Sequence, residues 1–182
     1  MKKMLALILV MILACMPMAA MASEAQKTIG VIQYVQHVAL DSARDGFVKA
    51  LSDNGFVDGE NIALDIQNAQ ADASNLATIS DRFVANEVDL VLAIATPAAQ
   101  SIAGKTTEIP ILGTAITDYV VARLVDANEL PGTNVSGTTD MNPVADQIKL
   151  IKELFPETKT VGVLYTSSED NSVLQAKMAR EA

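Results

Sequence analysis

The chain has 182 residues, of which 50% are hydrophobic, 19% are charged and 4% are aromatic, and its formal net charge is −9. This composition excludes a wholly disordered chain, and the acidic balance argues against nucleic acid as a partner, since phosphate backbones bind basic surfaces. The single cysteine excludes an internal disulfide and, with a single histidine, argues against a zinc site, so we expect neither a metal nor a cofactor.

The first 22 residues have the organisation of a secretory signal peptide. Lys2 and Lys3 precede an apolar run over residues 4–16, and the small-residue sequence Ala20-Met21-Ala22 follows. The apolar run is shorter than the roughly 20 residues that a membrane-spanning helix needs. We therefore expect export across the inner membrane and a periplasmic location.

Cys15 raises the question of whether the exported protein is lipid-anchored or free. The residues around it loosely resemble a lipoprotein acylation box, although Leu13 stands where a small residue is usual. The other interpretation is an apolar cysteine within the signal core, followed by cleavage after Ala22. The protein is accordingly expected to be free in the periplasm, or lipid-anchored if Cys15 is acylated.

After the signal, the sequence alternates between predicted strands and helices. Short apolar, β-branched runs predict strands at residues 28–34, 61–68, 89–95 and 109–113. Apolar residues at helical spacing, a candidate N-cap and a proline at a helix start predict intervening helices over residues 39–54, from residue 72 and from residue 97. This alternation predicts an α/β lobe with a parallel sheet and helices on both faces.

The second part of the sequence predicts the beginning of another α/β unit. We expect a helix or turn at residues 117–130, a polar β segment at 134–139, an amphipathic helix at 143–155, a buried strand at 160–165 and a helix from Asn171. The expected divisions are a signal peptide (1–22), an N-terminal α/β lobe (23–117), an inter-lobe crossover region (118–140) and an incomplete second lobe (141–182). Because one strand cannot form a sheet core, we expect a truncated two-lobed protein; the alternative is one domain with a frayed tail.

Ligands of open parallel sheets bind beyond the carboxyl ends of the strands, so the segments that follow the predicted strands are candidate site residues. Gln33, Tyr34 and Thr117 follow strands and offer amide and hydroxyl groups. The segment Thr96-Pro97-Ala98 begins a predicted helix, whose free N–H groups and dipole suit a carboxylate or a phosphate. The alternative is that Thr96 only caps its helix.

A second turn and a lone histidine contain further candidate residues. Ser167 and Ser168, with Asn171, are predicted to form a turn whose polar groups suit an anion. The alternative is an ordinary polar helix start without a binding role. His37 is either a site residue or, as a lone histidine, a capping or packing residue.

Asp118 and Asp140 could bind a ligand ammonium group, although an aspartate at a turn commonly caps backbone N–H groups. The sequence lacks the G-x-G-x-x-G, P-loop and G-x-S-x-G motifs, and no spacing assembles a catalytic triad. An exported α/β hydrolase or transferase that uses Asp118, His37 or Ser167 remains the enzymatic alternative, and a truncated, non-functional product is a third.

Six segments together resemble the ABC-transporter substrate-binding proteins for tryptophan, tyrosine or related ligands. They are residues 33–41 (QYVQHVALD), 67–70 (QNAQ), 93–100 (AIATPAAQ), 115–118 (AITD), 138–141 (TTDM) and 162–172 (GVLYTSSEDNS). Val38 departs from the family's His-Pro-Ala-Leu-Asp run, in which proline is expected at this position.

The resemblance implies a type I periplasmic binding protein with two Rossmann-like lobes that close on a solute in the cleft between them. It implies a non-enzymatic receptor that delivers an aromatic or related amino acid to a membrane permease. The implied roles of the candidate residues are binding of the ligand carboxylate (Thr96, Pro97, Ala98, Ser167, Ser168), binding of the ammonium (Asp118 or Asp140) and contact near the side chain (Tyr34, His37), with Gln33, Thr117 and Asn171 also lining the cleft.

Overall fold

A computed structural model of the chain describes residues 26–182. The predicted signal peptide and Cys15 lie outside the described residues. The strands are β1 (Lys27–Gln33), β2 (Ile62–Asn68), β3 (Leu90–Ile94), β4 (Ile111–Ile116) and β5 (Val135–Thr139). The helices are α1 (Val38–Asp53), α2 (Ala73–Ala85), α3 (Thr96–Ala103), α4 (Val144–Leu154) and α5 (Asp170–Glu181).

Local signals explain where several of these elements begin and end. The Asp72 carboxylate accepts a hydrogen bond from the Asn75 N–H at 2.8 Å and caps α2. Gly55, with a φ of +86°, follows the last residues of α1, where the left-handed conformation suits glycine. Pro97 stands in the first turn of α3, where its missing N–H loses no helical hydrogen bond.

All five strands in the described part of the chain pair in parallel, in the order β2-β1-β3-β4-β5. Successive crossovers place helices on both faces of the sheet, as the alternating sequence predicts. The N-terminal α/β lobe with a parallel sheet is therefore confirmed.

The two faces of the sheet are covered unequally. On one face, the side chains of α2 and α3 pack with strand residues in a large core centred on the fully buried Phe83. On the other face, α1 contributes half-buried apolar residues such as Phe47 to a smaller cluster with Val31 and Ile94. Ile66 and Leu112 lie on this second face and remain exposed, because α1 does not cover five strands.

Residues 160–165 do not form a strand, so this prediction is wrong. No backbone hydrogen bond among the described residues involves residues 159–165, and Leu164 is fully exposed. A β-strand is stabilised by pairing with a neighbour, and this apolar segment has no neighbouring strand within residues 26–182. Its β-branched composition therefore does not suffice to produce the predicted element.

The polar segment near residue 135 joins the first sheet as its edge strand β5. Part of the expected crossover region (118–140) thus contributes to the sheet of the N-terminal lobe, and the expected division into lobes stays a prediction. Residues 117–130 form turns rather than a helix, with hydrogen bonds such as Leu124 N–H to Tyr119 O at 2.9 Å.

Helices α4 and α5 pack against each other, and Val144 and Ala176 are their buried residues. None of the helices in the described part of the chain has the length and apolar character needed to span a membrane.

Candidate functional site

The carboxyl edge of the sheet brings the predicted strand-end segments together. Gln33 pairs in register with Ile94, and Ile94 pairs with Thr114, so β1, β3 and β4 end side by side. Thr96 and Thr117 follow directly, and with Gln33 they are 1–4% exposed. The sequence-based expectation that these three residues share one edge of the sheet therefore agrees with the register.

Three side-chain hydrogen bonds join this edge to the N-terminal half of α5 and the residue before it. They link the Tyr34 hydroxyl to Glu169 Oε1 (3.3 Å), the Gln100 amide to Asp170 Oδ2 (2.9 Å) and the Gln175 amide to Thr117 Oγ1 (3.2 Å). Each bond spans 58 residues or more of sequence, so it is made by tertiary packing. The start of α5 therefore lies directly over the carboxyl ends of β1, β3 and β4.

Two polar atoms in this region are buried without a hydrogen-bond partner among the described residues: Thr96 Oγ1 and Asn171 Oδ1. Gln100, one helical turn after Thr96, donates to Asp170, the residue before Asn171, so the two atoms lie on the two helices that this hydrogen bond joins. A buried polar group without a partner costs about 1–3 kcal/mol. Polar groups of a bound solute are suited to satisfy both atoms.

The start of α3 favours an anionic group. Its N-cap residue Ala95 has no capping side chain, and the N-terminus of a helix carries partial positive charge. Ala95 adopts φ +83° and ψ 153°, a region that L-residues rarely occupy and that concentrates at functional sites. The strain therefore coincides with the β3–α3 junction where the sequence predicts ligand contact.

Two cavities are lined by residues that join α5 to the sheet. One, of about 310 Å³, lies among α4, α5 and the 163–165 segment and is lined by Glu169, Asn171 and Gln175. The other, of about 420 Å³, lies beside β5 and is lined by Thr117 and Asp118. Because the Gln175 amide donates to Thr117 Oγ1, one hydrogen bond connects the walls of both cavities.

The first strand-end loop is fixed by a network around Gln33. Its buried amide donates to Val35 O at 2.8 Å and to Asp41 Oδ1 at 2.7 Å, and its Oε1 accepts from Arg44 at 3.3 Å. Gln33 therefore braces the loop that carries Tyr34. Burial and the neighbouring Glu169 carboxylate raise the pKa of Tyr34.

His37 lies outside this cluster of contacts. It is exposed, and its Nδ1 accepts from the Ala39 N–H at 3.2 Å, so it caps α1. This is the capping interpretation that the sequence left open.

The remaining predicted residues differ in burial and in hydrogen bonding. Ala98 packs in the core below the start of α3, and Pro97 is half-buried beside it. Asp118 Oδ1 accepts from the Val121 N–H at 2.8 Å and stabilises a turn, whereas the side chain of Asp140 is exposed.

Ser167 and Ser168 are exposed in the turn before α5, in which the Glu169 N–H donates to Thr166 O at 3.3 Å. The binding roles of all these residues stay predictions.

The sequence does not indicate that Glu169, Gln100 and Gln175 make the hydrogen bonds across this edge. Glu169 and Gln100 lie within two of the segments that carry the family resemblance, but their partners are distant in sequence. Within residues 26–182, no group of three or more His, Cys, Asp or Glu side chains is arranged to hold a metal ion.

Comparison with known proteins identifies relatives along most of the chain. The sequence profile of a family described as ABC transporter substrate binding protein matches residues 28–182. A tyrosine-binding protein of Clostridioides difficile is 48% identical over 153 residues, which are 84% of this chain and 44% of the relative.

Two solved structures are also similar to most of this chain. The ABC domain of Streptococcus pneumonia in complex with L-Trp is 43% identical, with a TM-score of 0.82, over 86% of this chain and 53% of that chain. A ligand-free, open substrate binding protein with adhesive properties from Clostridium difficile is 50% identical, with a TM-score of 0.70, over 85% and 52% of the two chains. The chain therefore spans about half the length of these relatives.

Proposed function

The chain belongs to the ABC transporter substrate binding protein family, and from this premise we propose that it binds an aromatic or related amino acid for an ABC importer. Its five-stranded sheet is the N-terminal lobe of the type I periplasmic binding protein fold. The solute is held at the carboxyl edge of that sheet, against the start of α5. It is released unchanged to a membrane permease.

The ligand class follows from the relatives. The relative from Clostridioides difficile is a tyrosine-binding protein, and the structure from Streptococcus pneumonia contains L-Trp. Both are more than 40% identical to this chain. Tyrosine and tryptophan share an α-carboxylate, an α-ammonium and an aromatic ring, and the proposed site is suited to the first two groups.

The main observation behind the proposal is that the Thr96 hydroxyl has no hydrogen-bond partner among the described residues. It is buried without a partner at the beginning of α3, where the helix dipole favours a carboxylate. In a folded protein without a ligand, this arrangement is destabilising, since a buried polar group loses its hydrogen bonds to water. A ligand carboxylate at the start of α3 offers the hydroxyl an acceptor.

The contacts across the edge support a closed form of the site. Periplasmic binding proteins close around their solutes by domain rotation. The TM-score is higher against the L-Trp complex than against the open, ligand-free structure, although the open structure is more similar in sequence. The hydrogen bonds that join Tyr34 to Glu169, and Gln100 and Thr117 to α5, are consistent with such closure.

Calorimetric titration with L-tryptophan, L-tyrosine and L-phenylalanine tests the proposal on the protein expressed from its complete reading frame. Thr96→Val should weaken binding by about tenfold, the value of one hydrogen bond to a charged group, while leaving the free protein at least as stable. Thr78→Val is the matched control, because Thr78 Oγ1 donates to Ser74 O on an exposed helix surface. Absence of binding by all three amino acids contradicts the proposal.

The place of action is also proposed. A signal peptide over residues 1–22 directs the protein across the inner membrane, and the mature protein meets its permease at the outer surface of that membrane. Cell fractionation with an antibody checks this point, since the protein should be released with the periplasmic fraction, or with the membrane fraction if Cys15 is acylated.

A further inference from the structure

We propose that Glu169 binds the ammonium group of the ligand and so makes the site selective for amino acids over the corresponding carboxylic acids. The inference rests on the proposed function and identifies the residue that recognises one half of the zwitterion. It replaces the sequence-based expectation that Asp118 or Asp140 does so.

Burial separates the acidic side chains of the described residues into two groups. Most are exposed, and only Asp41, Asp65, Asp118 and Glu169 are half-buried. Two of these four have a cationic partner: Asp41 lies 3.4 Å from Arg44, and Asp65 lies 2.6 Å from Arg82. A partly buried carboxylate is most stable beside a cation, so the two remaining carboxylates are candidates for binding a cationic ligand group.

Hydrogen bonding distinguishes Asp118 from Glu169. Asp118 Oδ1 accepts from the Val121 N–H at 2.8 Å, which gives this carboxylate a structural role in a turn. Glu169 accepts from the uncharged Tyr34 hydroxyl at 3.3 Å, and no Lys, Arg or His within residues 26–182 lies in ion-pair range of it. Its negative charge is therefore held in place but not neutralised.

The position of Glu169 fits a zwitterion. It shares a cavity of about 310 Å³ with Asn171, whose buried Oδ1 has no partner, and this volume lies at the lower end of the range for small-molecule sites. Helix α3 reaches the same end of α5 through the hydrogen bond from Gln100, one helical turn after Thr96, to Asp170, the residue after Glu169. The start of α3 is thus suited to the α-carboxylate of the ligand, and the nearby Glu169 side chain is suited to its ammonium group.

Calorimetry with two ligand pairs tests the inference on the protein from the complete reading frame. L-Tyrosine is compared with desaminotyrosine, and L-tryptophan with indolepropionate, so that each pair differs in the ammonium group. The wild-type protein should bind each amino acid at least about tenfold more tightly than its partner, because the des-amino analogue leaves the Glu169 carboxylate without a cation in a partly buried position.

Glu169→Gln should weaken binding of the amino acids by about tenfold or more and leave binding of the des-amino analogues within about twofold. Asp118→Asn tests the competing carboxylate and should cause a smaller loss, because Asp118 Oδ1 already accepts from the Val121 N–H and an asparagine oxygen keeps that bond. Glu157→Gln, at an exposed position outside the site, is the matched control and should change neither. Tyr34→Phe, which removes the hydroxyl that holds Glu169, provides a second and milder variant with the same selective loss. Thermal unfolding verifies that each variant is folded.

Equal wild-type affinity for the two members of each pair overturns the inference while leaving the proposed function intact. Equal losses from Glu169→Gln and Asp118→Asn also overturn it. If none of the four compounds binds, the proposed function fails, and the assignment of Glu169 fails with it.

Discussion

Tyr119 lies beneath the contact between β4 and β5, and its buried hydroxyl ionises when the pH is raised far enough. An added Cβ at Gly113 or Gly137 would collide with its hydroxyl, so the two glycines leave just enough room for the ring. The hydroxyl donates to Thr138 O at 3.1 Å, and the side chain is 7% exposed. Ionisation would place a phenolate in this buried position and remove the donor.

Burial raises the pKa of Tyr119 from 10.0 to about 12, and the charge of Asp140 acts in the same direction. Between these two values, the unfolded chain releases the phenolic proton while the folded chain retains it. Tyr119 therefore makes its full contribution to the free energy of unfolding below pH 10. This contribution falls by about 2 to 3 kcal/mol as the pH rises towards 12.

Urea denaturation of the wild-type protein and of Tyr119→Phe across this pH range measures the effect. Below pH 10, the variant should be less stable by about 1 kcal/mol, because it lacks one hydrogen bond. Above pH 10, the wild-type protein should lose stability faster, until the difference disappears or reverses. Lysine ion pairs and the raised pKa of Tyr34 affect both proteins alike, so a parallel loss of stability in the two refutes the reasoning.

Three further predictions concern the backbone and the surface. Gly30→Ala should destabilise the protein by about 2 kcal/mol in urea denaturation, because the new Cβ would lie 2.7 Å from the buried ring of Phe83. The control Gly46→Ala should stabilise the protein by about 0.5–1 kcal/mol, because Gly46 is exposed in α1 and an added Cβ has no neighbours within 4 Å. Ala95→Gly should raise stability by about 1 kcal/mol, since glycine accepts φ +83° without strain; destabilisation would contradict this. The 182-residue chain should self-associate in sedimentation experiments through its exposed apolar segment around residues 161–165, and Leu164→Lys should reduce this association; a monodisperse wild-type chain would contradict the prediction.

Local sequence signals predict the N-terminal lobe well. The strands near residues 28, 61, 89 and 109 and the helices between them occur within a few residues of their expected bounds, because each is buried by its immediate neighbours. The segment at 160–165 has a similar apolar, β-branched composition but no partner strand among the described residues, and it forms no strand and is exposed. Strand formation depends on pairing that a local pattern does not contain.

The candidate site is predictable in outline only. Parallel topology places Tyr34, Thr96 and Thr117 at one edge of the sheet, which follows from sequence because strand ends align. The pairing of Tyr34 with Glu169 depends on how α5 packs against the sheet, over a separation of 135 residues. The sequence alone therefore does not distinguish Glu169 from Asp118 and Asp140 as the proposed ammonium-binding residue.

Hydrogen exchange measured by mass spectrometry, with and without L-tyrosine or L-tryptophan, tests the central claim most directly. If the solute binds between the start of α3 and the start of α5, amides in residues 96–103 and 166–176 should become protected, since both helix starts lose access to water. The opposite edge of the sheet carries a cavity of about 460 Å³ lined by Ile29 and Phe56, and its amides should be unchanged. Protection confined to that edge, or no protection at either, would contradict the account.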